Sequence, residues 1–123
     1  MSSPEETMVA HLLADTGLSA LISARVYPVT LPQNGTLPAV TYSKVSGIRH
    51  VQLDGTPSSA HSRFRLDGWA SSYSGVKALE AALMAAMDGL SGAVGAMAPI
   101  DFYEDDTGIY RISVDYYLYH LEA

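Results

Sequence analysis

The sequence contains no cysteine. Disulfide frameworks, cysteine-ligated zinc sites and thiol nucleophiles are therefore excluded. Positive charge is also scarce: seven Lys and Arg stand against 13 Asp and Glu, for a formal net charge of −6. Arg25, Lys44, Arg49, Arg63, Arg65, Lys77 and Arg111 are scattered and form no basic stripe that would release counterions from a nucleic-acid backbone. No apolar run approaches the roughly 20 residues of a membrane-spanning helix, so no membrane partner is expected. The polar, acidic start, Met1-Ser-Ser-Pro-Glu-Glu6, is unlike a signal peptide. A chain kept in the cytoplasm until a larger assembly takes it up is expected. With 48% hydrophobic and only 16% charged residues, the chain reads as packed rather than disordered. Its 123 residues make one domain, 1–123.

Local signals place the elements. Ser3, Pro4 and Glu6 have the spacing of a capped helix start, Met8, Val9, Leu12 and Leu13 share one face, and Gly17 offers a stop. A further short helical turn is expected at Leu18, Leu21 and Ile22, and an extended segment at Arg25-Val-Tyr-Pro28. Ala39 to Val45 reads as a strand from its Val, Thr and Tyr content. From Ser46 to Ser62 the pattern is irregular, with Gly47, Gly55 and Pro57, and predicts a hairpin tip or flexible loop at about 47–61. Arg49, His50, Gln52, Asp54 and His61 would belong to that moving tip. Arg63 to Ala70 alternates, Phe64 and Leu66 facing one way and Arg63, Arg65, Asp67 and Trp69 the other. Gly68 in such a run marks a bulge or a close backbone approach.

A second main helix is expected from about Tyr73 to Asp88, capped by Ser72 or Ser74 and ended by Gly89, with Val76, Leu79, Leu83, Met87 and Leu90 as its core stripe. Ser91 to Ala98 reads as a small-residue connection, Glu104 to Gly108 as an acidic turn, and Ile109 to His120 as a long last strand. The order helix, strands, helix, strand predicts an α+β fold: a small, mostly antiparallel sheet with two main helices on one face.

A search for chemistry finds little. His11, His50, His61 and His120 lack the i, i+4 partner and acid of a zinc-protease helix. A metal site would have to be assembled from His50, His61 and Asp54, and solvated loop histidines account for these better. Glu104, Asp105 and Asp106 lack the alternating oxygen ligands of a calcium loop. Asp67 and Asp115 are expected to pair with Arg63, Arg65 and Arg111 across strands. Gly89 to Gly95 follows a helix and lacks the Lys-Ser/Thr ending of a phosphate loop. No catalytic residue, metal site or cofactor site is read from the chain.

Surface chemistry is richer. Arg63, Arg65, Trp69, Arg111, Tyr117 and Tyr119 fall together on the face of the sheet away from the helices, and arginine and aromatics are enriched at protein contacts. These six form the expected oligomer or partner interface. The back of the second main helix carries Ala78, Ala81, Ala82 and Ala85, which either let another element approach or reflect helix propensity alone.

Across nearly the whole chain, Arg25-Val-Tyr-Pro28, Leu37-Pro-Ala-Val-Thr-Tyr42, Val45-Ser-Gly47, Leu53-Asp-Gly55, Phe64-Arg-Leu-Asp-Gly-Trp-Ala70, Tyr73 and Gly108-Ile-Tyr-Arg-Ile-Ser-Val-Asp115 appear in order. In this order and spacing the sequence resembles the phage tail-completion, or tail-to-head joining (tail terminator), family of long-tailed bacteriophages. The resemblance implies a non-enzymatic virion subunit without cofactor that assembles as a homo-oligomeric ring, a hexamer. Such a ring sits at the head-proximal end of the tail, ends tail-tube polymerisation and meets the head-completion or connector protein. DNA passes through it without sequence-specific binding. Assembly would take place in the host cytoplasm. Two other readings remain at this level, a small α+β ligand-binding module on the open sheet face and a hydrolase-like enzyme. The second needs convergent titratable groups in a cleft.

Overall fold

Apolar residues recurring every three or four positions and alternating every two meet in one core. The computed structural model describes residues 4–32, 35–51, 57–90 and 92–120. Its elements are α1 (Pro4–Ala14), α2 (Thr16–Ile22), β1 (Val26–Pro28), β2 (Ala39–Val51), β3 (Pro57–Ala70), α3 (Tyr73–Asp88), β4 (Ala93–Glu104) and β5 (Ile109–His120). The strands form one sheet in the order β1-β2-β3-β5-β4, antiparallel except where β1 runs parallel to β2.

The helices lie on one face of this sheet. Met8 and Leu12 of α1, Leu18 and Ile22 of α2, and Val76, Leu79, Leu83 and Met87 of α3 are buried against Val40, Phe64, Leu66, Ile112, Val114, Tyr116 and Leu118. Each fully buried aliphatic side chain of this kind contributes about 1.5–3 kcal/mol of transfer free energy. Ser72 caps α3, its side chain accepting the Gly75 amide at 3.0 Å, and Gly89 follows its end. A polar latch ties α1 to α3: His11 Nε2 donates to the Ala86 carbonyl at 2.7 Å. Removing it by His11→Ala leaves the Ala86 carbonyl with only the Gly89 amide, at 3.2 Å. A loss of about 1 kcal/mol is expected, read as a lower urea midpoint at unchanged slope.

Several sequence expectations change here. Gly17 does not stop a helix: α1 ends at Ala14, and Asp15 caps α2 by accepting the Leu18 amide at 2.9 Å. An aspartate cap outranks the glycine signal because it satisfies a helix-start amide. Ser91 to Ala98 is not a plain connection, since β4 begins at Ala93 and pairs with β5 from Leu118 onward. The order is therefore helices, strands, helix, two strands. The described residues of 46–62 carry on the β2–β3 hairpin: Gly47 pairs with Ser62, Ile48 with His61, His50 with Ser59, and Val51 with Pro57. Gly68 interrupts no register, so close approach is the reason for it, with Leu79 of α3 directly above.

Candidate contact face

The face turned away from the helices is built in rungs, residues held in register across β3, β5 and β4. One rung is Trp69, Arg111 and Phe102. Next come Asp67, Ser113 and Ile100, then Arg65 and Asp115, then Arg63, Tyr117 and Val94. Period-two alternation puts the β3 and β5 members on one face because their neighbours Phe64, Leu66, Ile112, Val114 and Tyr116 point into the core, and register sets Phe102, Ile100 and Val94 beside them.

Asp115 is the centre of the arrangement. It is 0% exposed although, among the described residues, no helix or second sheet covers this face, so its cover is side chains. Arg63 donates from Nε to Oδ2 at 2.7 Å, and Arg65 donates from Nε to Oδ1 at 2.9 Å and from Nη2 to Oδ2 at 3.1 Å. Burial by itself pushes the Asp115 carboxyl up. The hydrogen bonds and charges of Arg65 and Arg63 outweigh it and hold the pKa below the ordinary 3.8. The same bond raises the pKa of Arg65.

The next cluster is aromatic. The Arg111 guanidinium carbon lies 4.1 Å from the Phe102 ring centre and 5.3 Å from that of Trp69, and Nη1 is 3.5 Å from Asp67. Trp69 Nε1 donates to Thr41 Oγ1 at 3.0 Å. Arg63 lies 5.8 Å from the Tyr117 ring centre. Cation–π stacking over rings that are partly withdrawn from water favours the guanidinium and fixes its plane. Asp67 Oδ1 and Arg111 Nε are buried side-chain atoms without a hydrogen-bond partner.

Five of the six residues singled out from sequence, Arg63, Arg65, Trp69, Arg111 and Tyr117, therefore share one face. Tyr119 occupies the β5 position opposite His61. The side chains of Tyr119, Arg49, His50 and His61 lie outside the described part of the structure, and Gln52 and Asp54 lie outside the described residues. Sequence reasoning missed the β4 contribution. Val94 at 52%, Ile100 at 44% and Phe102 at 40% exposure make the apolar margin of this face.

Elsewhere, α1 and Tyr42 line an open apolar depression with Glu5, Glu6, Val9, Ala10 and Leu13. Burial, then the nearby Glu5 charge, raises the Tyr42 pKa. Ala78, Ala81 and Ala85 on α3 are exposed, whereas Ala82 packs on the core. Among the described residues no group of three His, Asp or Glu is placed to hold a metal ion, and no helix is long and apolar enough to cross a membrane.

The family described as tail completion protein gp17 matches residues 6–120. Among solved structures, a chain from the virion of a native gene transfer agent particle is similar over 94% of this chain and 92% of its own length. Its TM-score is 0.64 at 21% sequence identity, a likeness of fold. No curated protein sequence matches.

Proposed function

The chain belongs to the tail completion protein gp17 family of phage-tail structural proteins, and from that premise we propose that it acts as a ring subunit at the head-proximal end of a tail tube. Copies assemble as a hexamer, end tube polymerisation and present a surface to the head-completion or connector protein. The observation that carries this reading is a sheet covered by helices on one face only. Its other face carries buried Asp115, three restrained arginines and an apolar margin, with no cleft of convergent titratable groups among the described residues. Such a face suits contact with protein rather than turnover of a small substrate. In this reading Arg63, Arg65, Trp69, Arg111, Tyr117 and Tyr119 form an interface with a neighbouring copy or a partner protein. The described hairpin ladder of β2 and β3 projects beyond the first residue of β4. The excess of acidic residues lets DNA pass without retention.

The chain mixed with purified tail-tube protein is expected to give tubes capped at one end by a ring, seen by negative-stain electron microscopy. Phe102→Asp should lower tube-end occupancy at least tenfold with little change in Tm, because Phe102 is partly exposed on an edge strand. Tubes that elongate freely with no density at either end would overturn the reading.

A further inference from the structure

The sheet ends in two backbone edges that differ from one another. β4 is the last strand on one side. On the other side β1 covers β2 only from Val40 to Tyr42, so among the described residues the outer edge of β2 is bare from Ser43 to Val51. Bare edges leave N–H and C=O groups in a row, ready to accept a further strand. Tracing the register across the sheet puts the two edges at matching levels. Ser43 is level with Arg65, Asp115 and Met97, and Lys44 with Phe64, Tyr116 and Gly95. Ser46 is level with Arg63, Tyr117 and Val94, and Gly47 with Ser62, Leu118 and Ala93.

We infer that the sheet continues from copy to copy, Ser43–Gly47 of one chain pairing with Ala93–Met97 of the next. β2, β3, β5 and β4 alternate in direction. With four alternating strands per copy, repetition by rotation about an axis along the strands sets β4 antiparallel to the β2 that follows it. The two edges are different surfaces, so the contact is head-to-tail and closes into a ring when the rotation closes.

Side chains at the join agree with this occupant. Val45, 45% exposed, stands beside the level of Val94, 52% exposed, so the join covers an apolar residue from each copy. On the helix side, Lys44 of one copy approaches the level of Tyr116, whose pKa is raised by burial and then by the charge of nearby Asp88. Lys44 and Asp88 are both exposed and opposite in charge. Pro99 and the register shifts between Gly95 and Ile100 interrupt β4 beyond the join. They confine pairing to the first residues of the strand.

The inference rests on the ring reading, and one experiment separates the two. Because the chain has no cysteine, a Val45→Cys/Val94→Cys variant carries only the two thiols of interest. Oxidised under conditions where rings are visible by electron microscopy, it should give a covalent ladder ending at the ring size on a non-reducing gel. Either single variant should give no species beyond a dimer. Val94→Lys should lower the assembled fraction at least tenfold while Tm stays within about 2 °C, since an exposed edge position contributes little to the fold. Rings that form without a ladder would overturn the edge pairing and leave the ring reading standing. Efficient Val94→Cys dimers in place of a ladder would indicate a two-fold β4–β4 contact and overturn it as well. Absence of rings, alone and on tube ends, would overturn both.

Discussion

Asp115→Ala is expected to lower stability by about 2–3 kcal/mol, with a fall in Tm of roughly 10 °C. The carboxylate is wholly buried and receives three charged hydrogen bonds from Arg63 and Arg65. Removing one partner of a fully buried ion pair costs about 3–5 kcal/mol. The two arginine side chains are 29% and 41% exposed, however, and regain water when released, which sets the smaller figure. Asp115→Asn keeps the shape and one acceptor and should lose about half as much. The pH dependence follows from the lowered carboxyl pKa. Its contribution is fully present above the unfolded value near 3.8 and fades as pH falls through the lower folded value. Urea midpoints of the parent should therefore drop below about pH 4 more steeply than those of Asp115→Asn. Parallel pH profiles for the two proteins would show that the carboxylate adds nothing by its charge.

The second large effect lies at the opposite face. A Cβ at Gly68 would meet Leu79 Cδ2 at 3.0 Å and Ile112 Cδ1 at 3.2 Å, inside the seam between α3 and the sheet. Gly68→Val should destabilise by about 2–3 kcal/mol through overpacking. Gly68→Ala should lose less, because a single methyl group asks Leu79 and Ile112 to yield only a few tenths of an ångström and a less flexible unfolded chain offsets part of the strain. Leu79→Ala alone opens a cavity and costs about 2–5 kcal/mol. In the double variant the new valine occupies that space, so Gly68→Val/Leu79→Ala should be less destabilised than the sum of its parts. Strict additivity in urea denaturation would show that the two side chains do not compete for one volume.

These two sites differ in how far the sequence disclosed them. The alternation from Arg63 to Ala70 and from Tyr110 to Leu118 assigns both faces of β3 and β5, because one side must be apolar to meet the helices. It also makes the pairing of Asp115 and Asp67 with the arginines legible. The α3 stripe and its Ser72 cap are legible for the same reason. Its period matches a single buried face.

β4 was hidden because an edge strand with Pro99 and two register shifts breaks the two-residue period. Three of its first four residues, Ala93, Gly95 and Ala96, are also small. With β4 went Phe102, Ile100 and Val94, and so the apolar margin of the open face. The hairpin ladder beyond Gly47 was hidden by its glycine, serine and proline content. Family resemblance agreed with the matched family, although no single motif carries it.

The rungs of the open face also bear on the entropy of association. Long arginine side chains normally lose about 0.5–1.5 kcal/mol of rotamer freedom each when a complex immobilises them. Here Arg63 and Arg65 are already held by Asp115, and Arg111 by Phe102, Trp69 and Asp67. Their freedom was surrendered when the chain folded. A protein arriving at this face meets a surface whose charges are already aimed, and their ordering subtracts little from its affinity.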